Sequence, residues 1–164
     1  MNFYTNLDKT MDNISSRGAF LTVKGDKGVN TMTISWGYVG FSWHKPYFIV
    51  MVRPDRFTTE FLQTGKDFTV SVPYNDNMNE ALKVCGTNSG EDLDKAEKAN
   101  IEFINSNMVE SPVVDGCNMY YECEISYVDK INGAQLPDDI KDEVYEKEDY
   151  HYMYYGQIMD CYKK

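Results

Sequence analysis

The sequence has few of the residues that build a metal centre. Only two histidines are present, His44 and His151, and they stand far from each other and from the cysteines. The four cysteines include no Cys-x-x-Cys pair: Cys85, Cys117, Cys123 and Cys161. A zinc site needs such clustered ligands and therefore has almost no support. We expect reduced thiols that act as small core or near-core residues, without disulfides.

Positive charge and long apolar runs are also scarce. The 164 residues include 16 lysines and arginines against 26 aspartates and glutamates, a formal net charge of -10. This balance argues against binding to a nucleic-acid backbone or an anionic membrane. No run approaches the ~18 apolar residues of a membrane helix, and Met1 to Thr10 lacks the layout of a signal peptide. We therefore expect a cytoplasmic protein with neither nucleic acid nor membrane among its partners.

Two common nucleotide-binding motifs are absent as well. The chain contains neither the complete Gly-x-x-x-x-Gly-Lys-Ser/Thr pattern of a P-loop nor the Gly-x-Gly-x-x-Gly pattern of a dinucleotide-binding fold. What the chain does have is aromatic residues, at 14% with 13 tyrosines. These fit the half-buried surfaces of sheets and also the walls of sites for flat heteroaromatic ligands. The length favours one domain covering residues 1–164.

Alternating apolar and polar residues predict strands in the first half of the chain. Gly18 to Lys24 and Asn30 to Trp36 flank a turn at Asp26-Lys27-Gly28, which indicates a hairpin. Tyr47 to Val52 is a continuous apolar run that stops at Arg53-Pro54, as expected of a strand buried on both faces. Phe57 to Leu62 predicts a short helix that Gly65 ends, and Phe68 to Val72 predicts a further strand.

The second half combines short helices with two long aromatic strands. Asn77 with Glu80 is typical of a capping box for a helix reaching Cys85 and ended by Gly86, and Ser89 with Asp92 predicts a second helix through Ala99. Met119 to Val128 and His151 to Asp160 predict strands. Strands around a short helical middle favour a mainly β fold, a barrel or sandwich with appended helices.

An acidic segment, Pro137 to Tyr150, separates the two late strands. Its seven carboxylates could indicate a cation site, but they lack the spacing of a calcium loop and have Lys141 and Lys147 among them. A solvated helix or loop is the favoured interpretation.

Arg53 to Thr59 (RPDRFTT) is the first candidate binding segment. Two arginines and two threonine hydroxyls leave the end of a buried strand and enter a helix. The guanidinium group of arginine can donate two parallel hydrogen bonds to phosphate oxygens, and the first turn of a helix has unpaired N–H groups. Ordinary helix capping with surface arginines explains the same residues equally well.

Two further segments are candidates for the same binding site. Asn30 to Gly37 (NTMTISWG) places hydroxyl residues beside an aromatic, and Gly37 and Gly40 permit close approach of a flat ring. Cys85 to Lys95 (CGTNSGEDLDK) leads two glycines and a serine into a predicted helix, which can present N–H groups to phosphate. The alternation of an ordinary strand would also explain the first of these segments, and a helix cap with a turn would also explain the second.

Taken in order, NTMTISWG, KPYFIVMVRPDRFTTEF, FTVSVP, CGTNSGEDLDK and HYMYYGQI resemble the flavin reductase-like FMN-binding split-barrel family, in particular its flavoredoxin-like branch. The resemblance covers Gly18 to Ile158 and implies an FMN-binding split β-barrel. It places Thr31, Met32, Thr33, Ser35 and Trp36 at the isoalloxazine and ribityl part of FMN. It places Arg53, Arg56, Thr58 and Thr59 at the phosphate, with Ser89, Gly90 and Lys95 closing over it.

The same resemblance implies an oxidoreductase in which NADH or NADPH passes a hydride to FMN and the electrons continue to a flavin, metal or protein acceptor. It also implies a homodimer with FMN near the interface. His151 begins the strand that ends near the flavin edge in this family, so catalysis and structural packing are both open for it; Gln157 replaces the family's acidic residue. The alternatives are an FMN-bound electron carrier without its own nicotinamide oxidation, and a split barrel that has lost FMN.

Overall fold

The computed structural model describes residues 2–164. The helices are α1 (Leu7–Ser16), α2 (Thr58–Thr64), α3 (Asn79–Thr87), α4 (Lys95–Ala99) and α5 (Asp138–Val144). The strands are β1 (Ala19–Gly25), β2 (Gly28–Ile34), β3 (Gly37–Ser42), β4 (Lys45–Val52), β5 (Asp67–Val72), β6 (Phe103–Ile104), β7 (Val113–Val114), β8 (Met119–Lys130) and β9 (Tyr152–Lys163). Two short 3-10 helices lie at Asp76–Met78 and Gly133–Gln135.

Seven antiparallel strands form one curled sheet in the order β2-β1-β5-β8-β9-β4-β3, and β6 and β7 pair separately. The two longest strands, β8 and β9, shift register between Glu122 and Cys123 and again between Ile125 and Tyr127. Such irregularities bend a strand pair and increase its twist, which curls the sheet around its core. The sheet stays open between β2 and β3, as in a split barrel, so the predicted mainly β barrel with appended helices is confirmed.

The predicted first hairpin and the buried strand are both present. β1 and β2 pair from Ala19 with Ile34 to Gly25 with Gly28. Alternation sends Leu21 and Met32 into the main core, while Thr22 and Thr31 lie on the opposite face. β4 ends at Val52, directly before Arg53-Pro54, because proline cannot donate to the strand ladder.

Helix boundaries in the middle of the chain differ from the prediction. α3 begins at Asn79 rather than after Asn77, because Asn75 accepts from the N–H of Asn77 and starts a 3-10 turn there. α3 also continues through Gly86 to Thr87, so Gly86 does not end it. α4 is capped by Asp94, whose carboxylate accepts from two N–H groups, rather than by Ser89.

Three elements were not predicted: α1, β3 and the β6–β7 pair. α3 packs on the outer face of β1 and β2 through a second small core that includes Phe20, Leu82 and Cys85. All four cysteines are buried and unpaired with one another, as expected of small core residues. No helix among residues 2–164 is long and apolar enough to cross a membrane.

Candidate functional site

The candidate site lies where α3 packs on the edge strand β2. The hydroxyl of Thr33 donates to the carbonyl oxygen of Leu82 at 2.6 Å, which fixes the helix on the strand. A Cβ added to Gly86 would lie 3.3 Å from the Cβ of Thr33, so a larger residue would push α3 away from β2. This close packing leaves three adjoining cavities around Arg56.

The first of these, the Lys95 cavity, has a volume of about 300 Å³. It brings together five predicted site residues: Met32, Arg56, Thr58, Ser89 and Lys95. It is also lined by Asp55, Phe57, Cys85, Gly86, Thr87, Asn88 and Asp92. Both of those carboxylates are exposed to solvent, whereas Lys95 is buried, so water screens the acids more than the lysine.

Lys95 is a buried cation with no carboxylate partner. Only 7% of the residue is exposed. Its ammonium donates to the carbonyl oxygens of Thr31 and Cys85, both at 3.0 Å, and forms no ion pair within the described part of the chain. Burial lowers the pKa of Lys95 from its ordinary value, and the nearby charge of Arg56 lowers it further. An anion in this cavity would therefore relieve an unfavourable charge.

The loop over the Lys95 cavity lies very close to β2. Asn30 donates through its side-chain amide to the hydroxyl of Thr58 at 2.8 Å. A Cβ on Gly90 would overlap the side-chain oxygen of Asn30 and would lie 3.3 Å from the ring of Phe57. The loop can approach this strand only because position 90 has no side chain.

The second, the Trp36 cavity, has a volume of about 240 Å³ and continues from the first along β2. Met32 and Arg56 line both cavities. The other lining residues are Thr33, Ile34, Ser35, Trp36, Met51, Arg53 and His151. Trp36 is 45% exposed, and the centroid of its indole ring lies 5.1 Å from that of the His151 ring. An open aromatic surface beside a strand edge suits a flat ring.

His151 is neutral near pH 7 and is held by Tyr145. Its Nδ1 lies 2.8 Å from the Tyr145 hydroxyl, and the residue is only 7% exposed. Burial lowers the pKa of His151 to about 4, and the neighbouring positive charge of Arg53 contributes to the shift. The contact fixes the ring orientation of His151 at the wall of the Trp36 cavity.

Arg53 is engaged by the acidic segment rather than left free. It forms an ion pair with Asp149, donates to the carbonyl oxygen of Val144 at 2.9 Å and lies over the ring of Tyr145 at 5.4 Å. The arginine lowers the pKa of Asp149 through this hydrogen bond. α5 itself is largely solvated, as predicted for the segment, and residues 2–164 contain no cluster of metal-ligand side chains.

Three predicted site residues lie outside the two cavities. The hydroxyl of Thr31 is buried and donates to the carbonyl oxygen of Leu21, and that of Thr59 donates to the carbonyl oxygen of Arg53. Gly90 lines a separate and larger cavity of about 550 Å³, which Arg56 does not line, together with Thr31 and Lys95. Three carboxylates line that cavity, those of Glu91, Asp92 and Asp94, against two in the Lys95 cavity, so it suits a phosphate less well.

Two functional neighbours were not predicted. Tyr145 and Asp149 reach the site from a segment interpreted as solvent-exposed. Tyrosine within an acidic run was the available signal, because a purely solvated face has little use for an aromatic ring. Thr87 and Asn88 also line the Lys95 cavity, and both belong to the candidate segment Cys85 to Lys95.

A family model described as "Flavin reductase like domain" matches residues 11–163. One curated relative, an uncharacterized protein from Archaeoglobus fulgidus, is 28% identical over 106 residues. The match covers 65% of this chain and only 59% of that relative, which is less than two thirds of its length.

Three solved structures share the fold. Flavoredoxin of Desulfovibrio vulgaris (Miyazaki F) superposes with a TM-score of 0.70 at 18% identity, covering 90% of this chain and 69% of that one. An FMN-binding protein from Thermus thermophilus gives 0.67 at 22%, covering 89% and 69%. An NADH:FAD oxidoreductase from Streptomyces globisporus C-1027 gives 0.68 at 17%, covering 90% and 75 to 76%. At these identities the likeness establishes the fold alone.

Proposed function

The chain belongs to the flavin reductase-like family and has the fold of its flavoredoxin members, and from that premise we propose that it is an FMN-dependent oxidoreductase. In this proposal FMN occupies the Lys95 and Trp36 cavities. NADH or NADPH supplies the electrons, and a flavin or another acceptor receives them.

The buried ammonium of Lys95 is the observation that carries this proposal. A desolvated cation without a carboxylate partner is costly, and a phosphate dianion would compensate it with charge-assisted hydrogen bonds. Arg56, Thr58 and Ser89 line the same cavity and add donors suited to phosphate oxygens. The close approach of Gly90 to Asn30 keeps the loop over this end. The residues present therefore fit a phosphate group.

The ring system fits the Trp36 cavity. Ligand sites usually have roughly 300 to 1,000 Å³, and the two cavities have about 300 and 240 Å³, so the proposal divides FMN between them across the wall of Met32 and Arg56 that they share. Trp36 and Met32 offer apolar surface to a flat ring, and Thr33 and Ser35 lie beside it.

Bound FMN supplies the exchange of electrons, and the chain supplies position and environment. Trp36 and His151 flank the cavity where the ring would lie, and the Tyr145 contact holds the imidazole at one orientation. Because His151 is neutral near pH 7, it offers a hydrogen-bonding nitrogen without adding charge. Tyr145 of the acidic segment contacts His151, and both residues are buried, which limits water at this wall of the site.

The choice of a nicotinamide donor is supported by the family and by the shared fold of an NADH:FAD oxidoreductase. The rival function, an FMN-bound electron carrier, is supported by the shared fold of flavoredoxin. An absorbance spectrum of the purified protein and an anaerobic stopped-flow titration with NADH and NADPH separate the two. Bleaching of bound FMN by either nucleotide is expected. Stoichiometric FMN that neither nucleotide reduces would establish the carrier, and a protein that binds no FMN would refute both.

Arg56→Ala and Lys27→Ala form a matched pair for the phosphate assignment. Arg56 lines the Lys95 cavity, whereas Lys27 does not line it and forms an exposed ion pair with Glu60. Loss of a charge-assisted hydrogen bond should weaken FMN binding by about 1.5 to 3 kcal/mol in the first variant only. Fluorescence quenching of FMN gives both dissociation constants, and equal values would count against the assignment.

A homodimer is part of this proposal. Edge strand β3 and its turn expose Tyr38, Phe41 and Trp43, and the last two are each 60% exposed. Trp43 and His44 both adopt positive φ, at 48° and 61°, as the two-residue turn that joins β3 to β4 requires, and this turn places the exposed Trp43 at the edge of the sheet. An exposed aromatic edge of this kind suits a second copy of the chain. Light scattering should give twice the mass of 19.0 kDa, and a monomer at micromolar concentration would refute the dimer.

A further inference from the structure

A third cavity beside Arg56 concentrates positive charge in a chain whose net charge is -10. This Lys83 cavity has a volume of about 420 Å³ and is lined by Arg17, Thr33, Ser35, Arg56, Asn79, Leu82, Lys83, Gly86 and Thr87. Three of these residues are cations, and none is a carboxylate. The cavity is therefore a positive region on an otherwise negative molecule.

Two of the three cations have no counterion. Arg56 and Lys83 form no ion pair among the described residues. Arg17 is paired with Asp76 at 2.6 Å and donates to the carbonyl oxygen of Tyr74 at 3.0 Å, which fixes its guanidinium in place. The carboxylate cancels one charge, so two positive charges remain for a ligand.

The wall of the cavity is one face of α3. Asn79, Lys83 and Thr87 follow one another at intervals of four residues, and Leu82 and Gly86 lie between them at the same spacing. Residues at this spacing share one side of a helix. The strand wall opposite is formed by Thr33 and Ser35 of the segment that borders the Trp36 cavity.

The Lys83 cavity continues into both parts of the proposed flavin site. It shares Arg56, Gly86 and Thr87 with the Lys95 cavity, and Thr33, Ser35 and Arg56 with the Trp36 cavity. A ligand anchored here by an anionic group would thus reach the space beside Trp36 where the ring is proposed to lie. The flavin phosphate has its own partner in the buried ammonium of Lys95, which does not line the Lys83 cavity.

We propose that the Lys83 cavity is an anion subsite that holds the diphosphate of a nicotinamide dinucleotide while its nicotinamide reaches the Trp36 cavity. This inference rests on the proposed function, since it assigns the donor's position at the same site. Arginine and lysine bind phosphate oxygens by charge-assisted hydrogen bonds, and the hydroxyls of Ser35 and Thr87 add neutral donors. The diphosphate of FAD offers the same chemistry, so the experiment must distinguish the two sources.

The test uses Lys83→Gln with Lys66→Gln as the matched control. Lys66 is exposed, lines none of the three cavities and forms no ion pair in the described chain. Steady-state oxidation of NADH or NADPH by the FMN-loaded protein gives KM and kcat, and fluorescence gives the dissociation constants of FMN and FAD. Because Lys83 is exposed, Lys83→Gln should raise KM about 5- to 10-fold, between the effect of an exposed ion pair and that of a buried charged hydrogen bond, with kcat and flavin affinity unchanged.

Binding of inorganic diphosphate tests the subsite without catalytic turnover. Isothermal titration should detect its binding to the wild type and to Lys66→Gln and a binding at least about fivefold weaker in Lys83→Gln. In the kinetic assay it should compete with the nicotinamide nucleotide. A KM unchanged in Lys83→Gln, or diphosphate binding that is absent or unaltered, overturns the subsite. A loss of FAD affinity with unchanged KM assigns the cavity to the flavin instead. Failure of every nucleotide to reduce bound FMN refutes the proposed reductase and with it the donor assignment.

Discussion

Replacing Lys95 with methionine should separate stability from flavin binding. Methionine keeps much of the length and apolar surface of the lysine stem and removes the charge. In the unliganded protein Lys95 is 7% exposed, and its ammonium donates to two carbonyl oxygens. Its removal relieves a buried charge but leaves those carbonyls without this donor. These effects oppose each other, so we expect the free energy of unfolding to change by less than about 1 kcal/mol.

FMN affinity should respond much more strongly. The phosphate would lose a charge-assisted hydrogen bond worth about 1.5 to 3 kcal/mol, which is roughly a 10- to 150-fold rise in the dissociation constant. Riboflavin carries the same ring without the phosphate and serves as the internal control. Its affinity should stay within about twofold, because no charged partner is lost.

The assay is fluorescence quenching of FMN and riboflavin by the wild type, Lys95→Met and the exposed control Lys98→Met, with urea unfolding of each protein. Equal losses of FMN and riboflavin affinity in Lys95→Met would show a general disturbance of the site and refute the phosphate role. Unchanged FMN affinity would refute it too. A fall in unliganded stability of about 3 kcal/mol or more would show that the ammonium holds the fold rather than awaits a ligand.

Three further predictions follow from particular contacts. Burial lowers the pKa of His151 in the folded state to about 4, below its ordinary 6.5, so the unfolded chain binds the proton first as pH falls. Between pH 7.5 and pH 5 the wild type should therefore lose about 1 to 2 kcal/mol more free energy of unfolding than His151→Gln. Urea unfolding measures both proteins, and an equal dependence on pH would refute the shift. Gly156→Ala should lower the free energy of unfolding by about 1 to 3 kcal/mol, because the added Cβ would lie 2.6 Å from the Cβ of Cys123. Gly40→Ala is the control: a Cβ there has nothing within 4 Å, so the loss in the same urea experiment should be less than about 0.5 kcal/mol. Arg53→Gln should increase hydrogen exchange across residues 138–150, because the arginine binds Asp149 and the carbonyl oxygen of Val144. FMN affinity should fall by less than about threefold. A larger loss of FMN affinity would show that Arg53 binds the phosphate.

Strong local patterns made much of the fold predictable. The turn at Asp26 to Gly28, the apolar run before Arg53-Pro54 and the aromatic strands β8 and β9 depend on neighbouring residues, so the chain itself specifies them. β3 escaped prediction because as an edge strand it has mostly exposed residues and therefore little alternation. The start of α3 was misplaced because Asn75 and Asn77 both suit a cap, and only the backbone shows that Asn75 caps a 3-10 turn that precedes the helix.

The candidate site divides in the same way. Residue type and order in the sequence predicted Met32, Arg56, Thr58, Ser89 and Lys95 as members of one site, and the structure places them around one cavity. Sequence could not assign Arg53, since an arginine after a strand suits a phosphate and a carboxylate equally.

The sequence by itself therefore determined the strands, their turns and the residue types available for an anion and a flat ring. Only the tertiary structure decided which of them are free to bind. It engages Arg53 with Asp149, buries the hydroxyls of Thr31 and Thr59, and leaves the ammonium of Lys95 with carbonyl oxygens alone. The reason is physical. Local sequence patterns specify which residues form strands and turns, whereas the groups that contact a charged side chain, such as Lys95 or Arg53, lie 10 to 96 residues away in the chain.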